Sequence, residues 1–387
     1  MPVLNRASEL QAETAIWRQY LHQHPEIGYD VHQTAAFIEQ KLREFGIDDI
    51  VTGIGRTGLV GIIHGTKGDG PTIGLRSDMD ALPMPEETGL DYASIYDGKM
   101  HACGHDGHMA MLLGAAKYLS ETRNFRGSVA VIFQPAEEDG AGGEAMVKDG
   151  MMERFNIKEV YGMHTLAGLP VGEFATRTGP IMGATDEYII TVHAKGGHAA
   201  YPHNTIDPIV IGAQLVGLLQ TIAARNIDPM EAVVLTITQF NAGTALNIIP
   251  ETASLAGTIR TLSHDVRAYA VKRLHEICAG LALAHGIEIH VQHMPGYPVT
   301  VNNADETQNA VEAATSVVGP KAVHGNMPAS LGAEDFSYMA MARPGAFIFI
   351  GNGDTQDVHN TKFNFDDDAI PFGVSYWASL VQHRLGV

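Results

Sequence analysis

Short apolar runs alternate with longer segments of helical period along most of this chain, and this order constrains the fold more than any other feature. The runs expected to be buried strands are Leu59–Ile63, Ile73–Leu75, Val129–Phe133, Val160–Met163 and Phe347–Ile350. Met109, Leu112, Leu113, Ala116 and Leu119 form the apolar stripe of a helix. Strands that alternate with helices are typical of an α/β protein. Because the chain has 387 residues, more than one core usually spans, two domains are predicted.

The middle of the chain follows a different order. Its predicted strands are Tyr188–His193, Val233–Phe240, Thr252–Ile259 and Ile287–Gln292, and its predicted helices are Pro208–Ala224 and Val266–Ala284. The resulting order β-α-β-β-α-β is the split βαβ arrangement. This pattern predicts an inserted domain at 184–293, which interrupts a discontinuous domain formed by 1–183 and 294–387.

Charge and cysteine content limit the partners and the compartment. The 25 Lys and Arg residues against 44 Asp and Glu residues give a net charge of −19. That balance argues against nucleic acid or an anionic membrane as partner. Two cysteines exclude a disulfide framework and favour a reducing compartment. Residues Met1–Arg6 show no signal-peptide pattern, and no uninterrupted apolar stretch reaches about 18 residues. We therefore expect a cytoplasmic protein without a membrane span.

The run His101-Ala-Cys-Gly-His-Asp-Gly-His108 is the most informative short motif. A thiol and an imidazole two residues apart on a glycine-containing turn suit a transition metal. Cys103 alone would more often be a small buried hydrophobic residue. Its pairing with His105 favours the metal-ligand interpretation. Asp106 and His108 are assigned to the start of the following helix or to supporting contacts.

Further polar groups follow the predicted strands of the α/β part. They are Asp78, the adjacent pair Glu137-Glu138, His164 and His359. In open α/β sheets ligands bind beyond the carboxyl ends of the strands, so these groups are expected to converge. On a turn, one carboxylate of the pair can coordinate a metal while the other transfers a proton. A metal in such a site lowers the pKa of a water and polarises a carbonyl.

Taken together, these segments resemble the M20 family of metal-dependent amidohydrolases and carboxypeptidases, most closely its aminoacylase and hippurate-hydrolase branch. The resemblance rests on Arg76–Pro83, His101–His108, Gln134–Glu138, Gly162–His164, Gly196–Ala199, Asn247–Pro250, Gly257–Arg260 and Glu334–Ser337. It implies an α/β, zinc-peptidase-like catalytic domain with a central mixed sheet flanked by helices. It also implies that the inserted βαββαβ (ferredoxin-like) domain is a lid and dimerisation domain.

The resemblance assigns roles in the catalytic domain. It implies two divalent transition-metal ions per subunit (Mn, Zn, Ni or Co), with the ligands Cys103, His105, Glu138, His164 and His359. Glu137 matches the general base. Asp78 matches an acid that orients the site without binding the metals directly.

The resemblance also assigns roles in the inserted domain. His198 matches a histidine that reaches the active site of a partner subunit and stabilises the oxyanion. Asn247 and Arg260 match groups that hold the amide and carboxylate ends of the substrate, and the planar fork of arginine suits a carboxylate. A homodimer or homotetramer formed through the lid domain is therefore expected.

The first functional hypothesis is hydrolysis of small-molecule N-acyl amino acids (hippurate-like, N-acetyl or related conjugates) to a carboxylic acid and a free amino acid. An M20-type dipeptidase or carboxypeptidase is an alternative. A cysteine hydrolase, with Cys103 as nucleophile and His105 or His108 as base, is another. A non-catalytic metal-binding protein is the last, because fold does not determine function. The acyl group, the amino acid and the metal stay open.

Overall fold

The computed structural model describes residues 3–386; Met1, Pro2 and Val387, which belong to the predicted discontinuous domain, lie outside the described residues. The α-helices are α1 (Asn5–Gln23), α2 (His32–Glu44), α3 (His105–Thr122), α4 (Gly142–Lys148), α5 (Met151–Arg154), α6 (Pro208–Thr221), α7 (His264–His285), α8 (Ala304–Val318), α9 (Phe336–Ala342) and α10 (Ile370–Leu385). The strands are β1 (Ile50–Ile54), β2 (Gly58–His64), β3 (Thr72–Asp78), β4 (Ser128–Gln134), β5 (Ile157–Leu166), β6 (Phe174–Ala175), β7 (Gly179–Met182), β8 (Ala184–His193), β9 (Gly197–His198), β10 (Val233–Ala242), β11 (Ile248–Ile249), β12 (Thr252–Thr261), β13 (Glu288–Pro295), β14 (Thr300–Asn302), β15 (Val323–His324) and β16 (Gly345–Gly351).

The described residues form two compact units. The first unit contains the chain up to Ile181, Val301–Pro328, and the chain from Asp335 onward. The second unit contains Met182–Thr300 and Ala329–Glu334. The inserted domain was predicted at 184–293. The second unit extends two residues before this range and seven residues beyond it, and the chain also returns to it for the six residues Ala329–Glu334, a return that no sequence pattern marks.

A mixed sheet forms the centre of the first unit. Within residues 3–386 it has eight strands in the order β1-β2-β4-β3-β5-β16-β6-β15. The four central strands, β4, β3, β5 and β16, run parallel, whereas β1 pairs antiparallel with β2, β2 with β4, and β6 with β16. Every residue of β3 and β16 is buried, as expected for parallel strands covered on both faces. The predicted α/β class with a central mixed sheet flanked by helices is confirmed.

The register of the parallel strands determines where the site forms. Asp78 at the end of β3 lies opposite Gln134 at the end of β4. His164 near the end of β5 lies opposite Phe349 of β16. The carboxyl ends of these strands therefore lie at one edge of the sheet, where α3 begins with His105. Helix α3 packs against β3, α1 and α10, and all of its residues from His105 to Ala116 are buried.

The second unit has its own sheet and its own core. Strands β10, β12, β8 and β13 form an antiparallel sheet in that order. Alternate residues of β8 and β12 are buried, because helices α6 and α7 cover one face of the sheet. Leu215 of α6 and Leu274 of α7 pack in the core beneath Ile190 and Leu255. The four strands of this sheet and the two helices occur along the chain as β8, α6, β10, β12, α7 and β13, which is the order β-α-β-β-α-β.

One helical segment of the second unit is long and apolar enough, by length and composition alone, to cross a membrane. It runs from Pro208 to Asn226 and consists of α6 and a π-helical turn at Ile222–Asn226. Its inner face, with Ile211 and Leu219, is buried in the core of the second unit. Core helices of this kind pass the same test, so the segment is weak evidence for a membrane span.

Candidate metal centre

The polar groups that follow the central strands lie close together in the first unit. Two groups of ligand atoms, each with members within 4.8 Å of one another, contain the residues Cys103, His105 and His164, and the residues Cys103, Glu138 and His359. The Sγ atom of Cys103 lies 3.3 Å from Nε2 of His164. Nε2 of His359 lies 3.4 Å from Oε2 of Glu138. All five side chains proposed as ligands thus lie in one cluster, and Cys103 is shared by both groups.

Two glycines allow the motif to pack this tightly. Gly104 has φ +82°, and a Cβ atom on it would lie 2.7 Å from Cγ2 of Thr165. A Cβ atom on Gly107 would lie 2.3 Å from the ring of Phe365. Only glycine avoids both the strain and the overlap at Gly104. The two glycines at positions 104 and 107 are therefore required by packing, in addition to the ligand chemistry of Cys103 and His105.

Hydrogen bonds fix the orientation of two of the histidine rings. Nδ1–H of His105 donates to the carbonyl oxygen of Asp80 (2.8 Å), and Nδ1–H of His164 donates to the carbonyl oxygen of Thr165 (2.7 Å). Each bond leaves Nε2 of the ring directed at the cluster. Ligand histidines in proteins usually have such a partner on the other ring nitrogen.

The donor set fits a divalent transition metal. Nε2 of His105 and Oε1 of Glu138 are buried and have no hydrogen-bond partner among the described residues. Burial disfavours charge on His105, but the carboxylates of Asp78, Glu138 and Asp80 raise its pKa to about 9. The carboxylates around this ring therefore stabilise a positive charge at this position, whether it is a proton on the ring or a bound metal cation. Thiolate, imidazole and carboxylate donors together suit Zn²⁺, Mn²⁺, Co²⁺ or Ni²⁺.

The thiol of Cys103 has the wrong electrostatics for a nucleophile. Burial raises its pKa well above the usual range, and the carboxylates of Glu138, Glu137 and Asp78 raise it further. Catalytic cysteines need a lowered pKa. Without a bound cation this thiol stays neutral, which argues against the cysteine-hydrolase hypothesis.

The pair Glu137-Glu138 lies on a turn, as its proposed division of roles requires. Ala136 before it has φ +52°, a left-handed conformation that is uncommon for alanine. Oε2 of Glu137 lies 4.0 Å and Oε1 of Glu138 lies 3.9 Å from Nε2 of His105. His359 also has a positive φ of 64°. Strained backbone of this kind is concentrated at functional sites.

Asp78 lies beneath the cluster in a buried hydrogen-bond network. Its carboxylate accepts hydrogen bonds from Nδ1 of His108 (2.7 Å) and Nη1 of Arg76 (2.9 Å). Nε2 of His108 accepts the backbone N–H of Thr165 (2.9 Å), so His108 connects Asp78 to the residue whose carbonyl oxygen orients His164. Burial alone would raise the pKa of Asp78, but His105, His108 and Arg76 hold it well below its usual range. The side chain is therefore a fixed negative charge.

A buried cluster of charged side chains lies behind the motif 101–108, and the sequence patterns do not predict it. His22 of α1 donates from Nδ1 to Asp106 (2.9 Å), and its Nε2 lies 3.2 Å from Glu86. Arg18 also contacts Asp106 (3.4 Å). Burial opposes the charge on His22, but Asp106 and Glu86 raise its pKa to about 9. No motif marks His22, because its partners are 84 and 64 residues away along the chain.

The remaining predicted site residues belong to the second unit. His198 on β9 and Asn247 just before β11 lie on one short two-stranded ribbon, where Ala199 N–H donates to the carbonyl oxygen of Asn247 (3.1 Å). Both side chains are exposed. Nδ1 of His198 accepts the N–H of Ala200 (3.1 Å), so Nε2 is the nitrogen that carries the proton in the neutral ring. Arg260 lies instead on the four-stranded sheet, opposite Thr185 of β8. Their roles stay predictions.

The sequence and the fold are similar to proteins of known family. The sequence model of Peptidase family M20/M25/M40 matches residues 74–383. Hippurate hydrolase of Campylobacter jejuni is 38% identical over 380 residues, covering 98% of each chain. Thermostable carboxypeptidase 1 of Saccharolobus solfataricus is 40% identical over 369 residues, covering 92% of this chain and 91% of its own. A dinuclear metal-binding peptidase from the M20 family of Bacillus subtilis has a TM-score of 0.84 and 32% identity over 97% of this chain and 98% of its own.

Proposed function

The chain belongs to peptidase family M20/M25/M40 and is a metal-dependent amide hydrolase, and on that premise we propose that it cleaves N-acyl amino acids to a carboxylic acid and a free amino acid. One observation carries the proposal: the five side chains that we propose as ligands lie in two groups that share Cys103, and Glu137 lies beside them. A scaffold protein would have no need of a carboxylate in that position. We propose that these residues bind two ions per chain, of a transition metal that the donor set leaves open.

Glu137 performs the proton transfer in this proposal. When bound, the metal ions lower the pKa of a water and polarise the amide carbonyl. The carboxylate of Glu137 removes a proton from that water as the water oxygen forms the new C–O bond with the carbonyl carbon. Glu137 then donates this proton to the leaving nitrogen as the oxyanion collapses and the C–N bond breaks. Its buried position on the turn supports this role, because a dry carboxylate within reach of the reacting atoms transfers protons more effectively.

The second unit supplies the substrate contacts in this proposal. His198 donates a hydrogen bond to the developing oxyanion, and Arg260 binds the free carboxylate of the amino acid. Asn247 holds the amide end. The ring of His198 is exposed, and its Nδ1 already accepts a hydrogen bond, so that Nε2 carries the proton; both facts support its role as a donor.

We also propose that the second unit is a lid and dimerisation domain, and that the protein is a homodimer or homotetramer. Strand β10 is an edge strand of the four-stranded sheet, and most of its residues are exposed. An exposed edge presents unpaired N–H and C=O groups that can pair with a second chain. Light scattering during size-exclusion chromatography tests the oligomeric state. The proposed location is the cytoplasm, which the two free cysteines support.

A carboxypeptidase activity is the second candidate, favoured by the 40% identity to the thermostable carboxypeptidase of Saccharolobus solfataricus. It uses the same bond cleavage on a peptide with a free carboxyl terminus. The two candidates differ in the group on the acyl side of the bond. That group is a simple acyl chain or aromatic acid in the first and an amino-acid residue in the second.

A substrate panel after metal reconstitution tests the proposal. It compares benzoyl- and acetyl-amino acids with dipeptides and N-blocked peptides that carry the same carboxyl-terminal residue. We expect the simple N-acyl amino acids to be hydrolysed faster, activity to be lost on chelation, and Mn²⁺ or Zn²⁺ to restore it. Faster hydrolysis of the peptides favours the carboxypeptidase. Chelator-resistant activity that a thiol-alkylating reagent abolishes would contradict both. A metal-replete protein inert to the whole panel supports the non-catalytic alternative.

A further inference from the structure

Asp80 contacts three residues of the proposed site at once. It is 1% exposed and lies two residues beyond the end of β3. Its carboxylate accepts the backbone N–H groups of Glu137 (2.8 Å) and Glu138 (3.1 Å). Its carbonyl oxygen accepts Nδ1–H of His105 (2.8 Å). The proposed function gives Asp80 itself no role, although it contacts the proposed base and two proposed ligands.

The two backbone bonds hold a turn that is unfavourable by itself. Ala136 is in the left-handed region, which costs free energy for a residue with a Cβ atom. Two successive N–H groups after such a residue form a concave site for an anion, and the Asp80 carboxylate occupies it. Ala136 is also held by its N–H bond to the carbonyl oxygen of Gly28 (3.1 Å). That bond fixes where the turn begins, whereas Asp80 fixes how the next two peptides are oriented.

We propose that Asp80 is a positioning residue, whose carboxylate aligns Glu137 and Glu138 and whose carbonyl oxygen orients His105. The inference rests on the proposed function, because it assigns Asp80 to the base and to two ligands of that site. The two contacts are separable. A side-chain substitution removes the hold on Glu137 and Glu138, while the backbone carbonyl that orients His105 stays in place.

Asp80→Asn is the test variant. An asparagine of nearly the same size keeps one acceptor oxygen and turns an NH₂ group toward one of the two N–H donors. In the metal-free protein, we expect faster hydrogen exchange in the peptide 135–140. On titration with Mn²⁺ or Zn²⁺, we expect the ion that depends on Glu138 to bind about 10–100-fold more weakly. The ion held by Cys103, His105 and His164 is expected to bind as in the wild type. We expect kcat for an N-acyl amino acid to fall by a similar factor, with KM little changed.

Glu26→Gln is the matched control. Glu26 is 8% exposed, and its carboxylate also accepts two successive backbone N–H groups, those of Gln33 (3.2 Å) and Thr34 (2.8 Å) at the start of α2. Glu26→Gln weakens a pair of backbone hydrogen bonds, as Asp80→Asn does, so we expect a similar loss of stability from both substitutions. If Asp80 were only a structural cap, both variants would shift the melting temperature and neither would change ion affinity or kcat.

The outcomes separate the inference from the proposed function. A wild-type protein that binds no metal ions and cleaves no amide contradicts the proposed function. The hydrogen-exchange comparison still tests the alignment of the turn in that case. A wild type that binds two ions, together with an Asp80→Asn variant of unchanged exchange, ion affinity and kcat, overturns the inference alone.

Discussion

The Sγ atom of Cys103 lies 3.3 Å from Nε2 of His164 while the same thiol also belongs to the group of Glu138 and His359. Cys103 is thus the one proposed ligand shared by both groups of ligand atoms. Replacing Cys103 should weaken the binding of both ions, whereas replacing a ligand that belongs to one group should weaken mainly the binding of one ion.

We predict that Cys103→Ser binds both ions poorly and loses more than about 100-fold in kcat, because a neutral hydroxyl is a much weaker donor than a thiolate. His359→Gln is the comparison, and it should retain the ion held by His105 and His164. Metal analysis after dialysis measures the difference. Retention of one full equivalent by Cys103→Ser contradicts the shared role.

Glu137→Gln should separate catalysis from metal binding. The amide keeps the shape of the side chain but cannot accept a proton, so we expect kcat to fall by about 10²–10⁴-fold with two ions still bound. Glu138→Gln is the matched control on the neighbouring residue, and it should lose metal as well as activity. Wild-type-like turnover by Glu137→Gln at full metal content rules out the proposed role of this residue.

The sequence predicted the buried strands and the ligand types more easily than the contacts that hold them. Runs such as Val129–Phe133 are detectable because a strand covered on both faces is apolar throughout, as β4 nearly is. Amphipathic periodicity likewise marks the helices that cover the sheet of the second unit. The carboxylate contacts of Asp80 and the contacts of His22 join residues more than 50 positions apart in the chain. Such contacts leave no local periodicity or spacing, so only the folded structure reveals them.

Gly104→Ala should destabilise the first unit. The residue would have to adopt φ +82° with its Cβ atom 2.7 Å from Cγ2 of Thr165. We expect a loss of about 2–4 kcal/mol in the free energy of unfolding, from backbone strain and overpacking together.

Gly150→Ala is the control for backbone strain alone. Gly150 has a similar φ of +78°, but no atom lies within 4 Å of the position of its Cβ. We expect this variant to lose only about 1–2 kcal/mol. Chemical denaturation monitored by tryptophan fluorescence measures both changes, because Trp17 and Trp377 both belong to the first unit. Equal losses for the two variants mean that the contact with Thr165 is unimportant.

Protonated His22 should stabilise the first unit in a pH-dependent way. Its pKa is raised from 6.5 to about 9 in the folded protein, since Asp106 and Glu86 outweigh the effect of burial. A group with a raised folded pKa contributes its full stabilisation below the unfolded pKa. The contribution is lost as the pH rises through the folded pKa, here between about pH 6.5 and pH 9. The shift corresponds to about 3 kcal/mol.

Denaturation of metal-free wild type and His22→Gln at pH 6, 7.5 and 9.5 tests this dependence. We expect the wild type to exceed the variant in free energy of unfolding at pH 6 and most of that advantage to disappear by pH 9.5. Glutamine retains a hydrogen-bond donor for Asp106 but has no charge to lose, so what remains at high pH measures packing and hydrogen bonding alone. An advantage that does not fall as the pH rises means that the pKa of His22 is not raised in the folded protein. In that case the ring holds the motif through hydrogen bonds, and Arg18 supplies the charge that compensates the buried carboxylate of Asp106.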